Sequence, residues 1–428
     1  MDRAAKLSSR LTVASSRWRA AFYAFFQVKI LLLNQTFHPD VASTAQHLSE
    51  LALGLAGRGH EVTVVTSRRA YDNPDKYFSR HETWRGIRII RIGSTGFGKG
   101  AKWKRAADFA SFLLLCSLRI VTLPRFDVVL ALTSPPLISF LGAWVAKLRG
   151  SRFFYWVMDF NPDEAIAAGW LRAGSPAARL LDAMSRFSLR RAQKIIALDR
   201  FMQERICAKG IAAGKIAVLP PWSHDDEVGF DEAGRNRFRQ AHGLEGKFVV
   251  MYSGNHSPCH PLDTLMQAAE HFAGDKEIVF CFVGGGSEFK KVKAWAGQGK
   301  GVQVVCLPYQ PLDQLAGSLS AADLHVVVMG NPFVGLVHPC KIYNILGVGV
   351  PALYIGPKPS HVSEVVESTP GAPPFFQAGH GEVDRLVNEI ERARALGFAS
   401  ARGAHERPNF SFSKAAVLPR LIAELESA

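Results

Sequence analysis

The sequence predicts a doubly wound α/β protein built as two successive halves, and three observations carry that expectation. Strand-like and helix-like runs alternate along nearly the whole chain, the order that builds parallel sheets through crossover helices. The strand-like runs are continuously apolar, as in "KILLLN" (29–34) and "EIVFCFVGGG" (277–286). A parallel strand covered on both faces reads that way. The alternation breaks once, near 221–246, where "SHDDEVGFDEAGRNRFRQ" gathers polar and charged residues, and it then restarts.

The elements follow in order. "KILLLN" is the first strand, and "TAQHLSELALGLAGRGH" (44–60) follows with helical spacing and stops at Gly57 and Gly59. "EVTVVTS" (61–67) returns as a strand, so the chain opens strand–helix–strand. "IRIIRIG" (87–93), "FDVVLALTS" (126–134, closed by Pro135 and Pro136), "RFFYWVMDF" (152–160), "KIIALD" (194–199) and "KIAVLPPW" (215–222) complete the first half. The second half begins with the strand "GKFVVMYSGN" (246–255) and the helix "PLDTLMQAAEHF" (261–272). "EIVFCFVGGG", "VQVVCLPY" (302–309), "LHVVVMG" (324–330) and "PALYIG" (351–356) are further strands. "SFSKAAVLPRLIAELES" at the end reads as an amphipathic helix after a polar gap. The expected division is a basic arm at 1–27, a first domain at 28–222, a second at 223–405 and a final helical segment at 406–428.

Composition narrows the function. Hydrophobic residues make up 48% and charged residues 21% of the 428, which suits a globular chain with sizeable cores. Lys and Arg number 51 against 37 Asp and Glu, a net +14 and a pI near 9.6. That field favours anionic partners such as phosphorylated small molecules or an anionic leaflet. The positive charge is dispersed and carries no nucleic-acid motif, so no nucleic-acid partner is expected. Six scattered cysteines without a CxxC pair read as reduced thiols of a cytosolic protein. The arm carries no acid after Asp2, and its apolar part, "AAFYAFF", is shorter than a signal-peptide core. It is either a frayed extension or a basic amphipathic helix on a membrane surface. No run is long enough to span a bilayer; the nearest, "FASFLLLCSLRIVTLP" (109–124), is interrupted by Arg119 and reads as a core helix. The wider segment "GKGAKWKRAADFASFLLLCSLR" (98–119) is either a solvated basic face over that helix or a docking element for an anionic leaflet.

In open α/β sheets ligands bind outside the carboxyl ends of the strands. In the second half those ends are "YSGNHSPCH" (252–260), "VGGGSE" (283–288), "LPYQP" (307–311), "VMGNPFVGLVHPCK" (328–341) and "YIGPKPS" (354–360). Gly254, Gly284, Gly285 and Gly286 allow close approach of a ligand to the backbone. Ser253, Asn255 and Ser287 add small polar groups, and the helix N-termini that follow suit a phosphate anion. Lys341 stands in the first turn of the helix "KIYNILGVG", where a cation opposes the macrodipole. That placement predicts a negative partner from outside the chain, a diphosphate above all; the plainer alternative is a side chain that snorkels to water. "HSPCH" (256–260) and "HPC" (338–340) hold zinc-ligand residue types at no standard spacing, so no metal is expected.

Motifs in chain order then identify a family resemblance. They are "FHPDVASTAQHLSELALGLAGRGHEVTVVTS", "DVVLALTSPPL", "DFNPDEAIAAG", "IAVLPPW", "MYSGNHSPCHPLDTLMQAA", "FVGGGSEFKKV" and "HPCKIYNILGVGVP". With these, residues from about 28 to 425 resemble bacterial family 4 glycosyltransferases of GT-B architecture. The nearest subgroup builds surface polysaccharides, as the fucosamine and colanic acid transferases do. The resemblance implies two Rossmann-like domains facing a central cleft, with the last helix packed back on the first. It implies a nucleotide-sugar donor, UDP-linked, and transfer with retention of configuration, needing no cofactor and no metal. Donor-binding positions are Ser253, Gly254, Asn255, Gly284, Gly285, Gly286, Tyr309, His338 and Asn344. Acceptor-binding positions are Pro39, Ser43, Thr44, Ser134 and Pro135. Lys341, Asp159 and Glu164 are the catalytic candidates, with Asp163, His38 and His47 nearby. The acceptor is expected to be lipid-linked, on a polyprenyl diphosphate or another lipid. The protein is then expected to be cytoplasmic and peripheral on the inner face of a bacterial plasma membrane.

The chain departs from the family pattern at several positions. Leu336 and Asn344 stand where many members carry a pair of glutamates. His256 and His260 stand near the usual Arg and Lys, Pro221 replaces Asn, and Cys340 replaces Ser. Two other readings of the same fold therefore stay open, a nucleotide-sugar epimerase and a non-catalytic partner protein.

Overall fold

The computed structural model describes residues 27–40, 42–70, 76–97, 102–223, 228–397 and 412–427. The basic arm, but for its last residue, lies outside them. The first half forms an eight-stranded sheet from β1 (Lys29–Leu33), β2 (Glu61–Ser67), β3 (His81–Trp84), β4 (Ile87–Ile92), β5 (Val128–Ala131), β6 (Arg152–Trp156), β7 (Lys194–Ala197) and β8 (Ile216–Val218). Its order is β3-β4-β2-β1-β5-β6-β7-β8. Every pairing is parallel except β3 with β4. The order reverses between β1 and β5, so the loops after those two strands open at the sheet's switch point. Helices α1 (Ser43–Gly57), α2 (Lys102–Val121), α3 (Ile138–Arg149), α4 (Asp163–Ala167), α5 (Pro176–Arg191) and α6 (Arg200–Ala208) belong to this half.

The second half opens with α7 (Glu232–Ala241). Its six strands, all parallel, are β9 (Phe248–Asn255), β10 (Ile278–Gly285), β11 (Val304–Leu307), β12 (Leu324–Val328), β13 (Ala352–Ile355) and β14 (Phe375–Ala378). They run in the order β11-β10-β9-β12-β13-β14, with the switch point between β9 and β12. The helices between and after them are α8 (Asp263–Glu270), α9 (Phe289–Ala296), α10 (Leu315–Ser320), α11 (Lys341–Val348), α12 (His361–Glu367) and α13 (Val383–Leu396). The polar segment near 221–246 is thus not a mere linker. Arg235 and Arg239 on α7 both reach the buried carboxylate of Asp323, which also accepts from the Val249 amide at 2.8 Å. The charges of α7 therefore tie it to β9 and β12.

The inner strands are buried along most of their length. Ile30–Leu33 in β1 and Leu324–Val328 in β12 expose almost nothing, as parallel strands covered by helices must. The last helix, α14 (Lys414–Glu426), lies on α1 of the first half. Ile422 and Leu418 pack at Gly54, and Glu426 bridges to Arg58 at 2.6 Å and to His60 at 2.9 Å. The segment read as a core helix is two-faced. Phe112, Cys116 and Ile120 of α2 are buried, whereas Leu114, Leu115, Leu118 and Val121 face out. Among the described residues no helix is long and apolar enough to cross a membrane.

Candidate active site

Short contacts join the loops at the carboxyl ends of the two sheets. The amide of Phe160 donates to the carbonyl of Leu336 at 2.8 Å. The thiol of Cys259, after β9, lies 3.8 Å from the Glu164 carboxylate at the start of α4. The Cys340 thiol, just before α11, reaches the hydroxyl of Ser43 at the start of α1. The first sheet therefore contributes Ser43, Asp159 and Glu164, and the second contributes Cys259, Cys340 and Lys341.

Lys341 is the site's only cation placed this way among the described residues. Its ammonium is shielded from solvent and has no hydrogen-bond partner. It lies 3.5 Å above the ring of Tyr252, and a Cβ built on Gly254 would meet it at 3.4 Å. Burial pushes its pKa down to about 7. The expectation that this lysine snorkels to water is thereby excluded. Its neighbours do not neutralise it. His256 donates to the Gly254 carbonyl at 3.0 Å, and His260 to the Val328 carbonyl at 2.7 Å. Burial, then the Lys341 charge, pushes both imidazoles down to about 3, so they stay uncharged. A dry cation with a neutral collar, under a glycine and at a helix N-terminus, is built to receive a small anion.

The glycines serve a second purpose that the sequence did not reveal. Gly254, Gly284 and Gly286 all have φ near +130°. A Cβ on Gly284 would lie 2.1 Å from the Gly254 carbonyl oxygen, and one on Gly286 would lie 2.3 Å from that of His256. These residues let the loops after β9 and β10 close on each other. Gly284→Ala is therefore expected to lower stability by about 2 kcal/mol or more, read as a lower urea midpoint. An unchanged midpoint would mean that the loops part easily. Gly285 meets Tyr309, whose hydroxyl donates to the Gly285 carbonyl at 3.3 Å from an exposed position. Ser253 and Asn344 are half-buried, and Asn255 is exposed at the tip of β9.

His338 is not on this glycine edge. It is buried, with Nδ1 donating to Asp199 at 2.7 Å and Nε2 accepting from the Tyr343 hydroxyl at 2.8 Å. Burial raises the Asp199 carboxyl, but the hydrogen bond from His338 prevails and holds it down to about 2. Having no polar ring atom left for a donor molecule, His338 belongs to the contact between the halves. This corrects the donor-binding expectation for that residue.

The other expected positions lie at the first switch point. The Ser134 carbonyl accepts from the Gln35 amide at 2.5 Å, and Thr44 shares a 3.0 Å hydroxyl contact with Thr36. Pro39 and Pro135 follow β1 and β5. His47 lies 3.0 Å from the carbonyl of Trp222, a structural position, and Asp163 is paired with Lys209 at 2.7 Å. His38 stacks on Trp84 at 4.0 Å. Asp159 acts electrostatically on Cys259 and Cys340 of the second half, and burial raises its pKa to about 6.

The comparisons agree with this geometry. Residues 44–222 match the family described as glycosyl transferase 4-like domain. The putative colanic acid biosynthesis glycosyl transferase WcaI of Escherichia coli is 25% identical over 386 residues, covering 86% of this chain and 93% of that one. Residues 44–222 are thus similar to a glycosyl transferase 4-like domain, and the chain as a whole is similar to a colanic acid biosynthesis glycosyl transferase. The probable glycosyltransferase WbjE of Pseudomonas aeruginosa is 24% identical over 57% of this chain and 61% of its own length. The fold is shared with Anabaena HepE, solved with UDP and glucose, at a TM-score of 0.67 and 19% identity over 94% of this chain and all of that one. It is shared too with sucrose-phosphate synthase of Thermosynechococcus elongatus, at 0.71 and 15% over 94% and 99%.

Proposed function

We propose that this glycosyltransferase moves a sugar from a nucleoside-diphosphate donor, UDP-linked, to a lipid-linked acceptor, with retention of configuration, in polysaccharide or lipopolysaccharide synthesis. The single observation that carries the reading is the sealed, unpartnered ammonium of Lys341 at the N-terminus of α11. It would hold the diphosphate and stabilise it as it departs. The second half would be the donor domain, with Gly254, Asn255 and Tyr309 beside the nucleotide sugar. The first would hold the acceptor at Pro39, Ser43, Thr44, Ser134 and Pro135. Asp159 has a pKa in the range that suits proton transfer near neutral pH, and it would act on the acceptor hydroxyl with Glu164 beside it. The names of WcaI and of HepE's ligand support the polysaccharide setting and the uridine donor.

The outer face of α2 supports a membrane-bound acceptor. Leu114, Leu118 and Val121 share one exposed stripe, and Trp144 and Leu148 of the adjacent α3 extend it. Arg119, Lys147 and Arg149 border it. An apolar face with a cationic rim matches an anionic leaflet, which would place the protein peripherally on the cytoplasmic side of a bacterial plasma membrane.

The test is a panel of nucleoside diphosphates and nucleotide sugars, scored by melting temperature and then by transfer to a lipid-linked acceptor. One base is expected to raise the melting temperature, and its sugar conjugate to yield glycosylated acceptor. Stabilisation with release of free nucleotide but no acceptor product would favour the epimerase reading. No stabilisation by any of them would favour the non-catalytic one.

A further inference from the structure

We propose that Asp199, His338 and His361 form a divalent-cation site of the zinc class that pins the two halves of the protein together. The three residues come from separate elements. Asp199 precedes α6 in the first half, His338 lies in the loop before α11, and His361 begins α12. All three are buried, and each offers a ligand atom within 4.8 Å of the other two.

The outer contacts of such a site are already made. Asp199 Oδ1 accepts from the Met202 amide at 2.8 Å, which leaves Oδ2 turned to the histidines. Oδ2 lies 2.7 Å from His338 Nδ1 and 3.8 Å from His361 Nδ1. His338 Nε2 is held by the Tyr343 hydroxyl. A partner on the far ring nitrogen is how proteins orient a metal-bound imidazole. Ligand atoms of a tetrahedral ion at about 2.0–2.2 Å stand roughly 3.3 Å apart, between the two separations observed. An ion would take the place of the proton shared by Asp199 and His338, so binding releases that proton.

His361 is the observation that asks for a ligand. It is 2% exposed, yet neither ring nitrogen has a hydrogen-bond partner. A buried imidazole left so is costly unless something satisfies it. Its ring stacks on His338 at 4.0 Å and 26°, so it must turn to share an ion in its own plane. That turn breaks no hydrogen bond. Three protein ligands leave a fourth position open for water. Lys341 is not one of the three ligands; the effect of the ion would be to hold the entry to α11 against the first half.

The test uses the full-length, untagged protein, stripped with chelator and titrated with Zn²⁺ and, separately, with Co²⁺. One equivalent of Co²⁺ is expected to give the visible bands of a four-coordinate N/O site. Zn²⁺ is expected to raise the melting temperature by about 2 °C or more. Both effects should vanish in His361→Gln, which replaces a group that has no partner, and in Asp199→Asn, which keeps the helix cap. Absence of saturable Co²⁺ binding to the wild type overturns the proposal whatever the variants do. So does an unchanged spectrum in either folded variant.

Discussion

Replacing Lys341 with methionine is expected to cut glycosyl transfer by about 10²–10³-fold while making the nucleotide-free protein more stable. The two effects share one cause. A buried ammonium with no counter-charge costs folding free energy, and a thioether of similar length does not. The pKa fixes where the gain appears. The unfolded lysine titrates at 10.5 and the folded one at about 7. Between those values the unfolded state binds the extra proton, so wild-type stability rises with pH. The advantage of Lys341→Met is therefore greatest below pH 7, on the order of 5 kcal/mol, and fades toward pH 10.5. Donor binding has the opposite dependence. A diphosphate stabilises the charged lysine, so affinity is full below pH 7 and weakens by up to about tenfold per unit above it. Urea unfolding at pH 6.5 and pH 9.5, with nucleotide titrations at both, checks the whole set. A less stable methionine variant would mean that the lysine has a structural partner and is not held ready for a ligand.

The fold was legible because burial leaves a simple mark. A strand covered on both faces must be largely apolar, and the middles of β1, β9 and β10 are. The two halves followed from where that pattern stops and restarts. Elements lacking the mark were missed. β3 ("HETW") and β14 ("FFQA") are edge strands, half-exposed and short. α5 is rich in arginine, although Ser175 caps it ahead of Pro176, a start signal that was available to read. The site was legible in part for a similar reason. Lys341 violates a local rule at the helix N-terminus, and a violation can be seen in one dimension. The pairing of His338 with Asp199, 139 residues away, and of Cys259 with Glu164, 95 residues away, violates nothing local. Only the chain's return to the same cleft creates them. His338 looked like a donor ligand because it neighbours Lys341 in sequence, and the turn before α11 sends the two side chains to different surroundings.

Leu114→Asp combined with Leu118→Asp is expected to release the protein from anionic vesicles. The two leucines are 62% and 61% exposed on α2, Val121 is 56% exposed beyond them, and Leu148 on α3 is 62% exposed beside Trp144 at 43%. Side chains already in water contribute little to the core, so the fold should survive the change. Burying each leucine in an acyl boundary is worth about 1.5–3 kcal/mol. Losing two should weaken partitioning by roughly 10²–10⁴-fold, before any repulsion between the new carboxylates and the leaflet. Arg119 and Lys147 border the patch, and each basic residue near an anionic surface adds about 1 kcal/mol. Wild-type binding should therefore fall both with added salt and on neutral vesicles. The double variant should fail to cosediment with either vesicle type, yet keep its transfer rate toward a short soluble acceptor. Equal cosedimentation of wild type and variant would put the membrane contact somewhere other than α2. A parallel loss of the soluble reaction would mean instead that this face supports the cleft and not the leaflet.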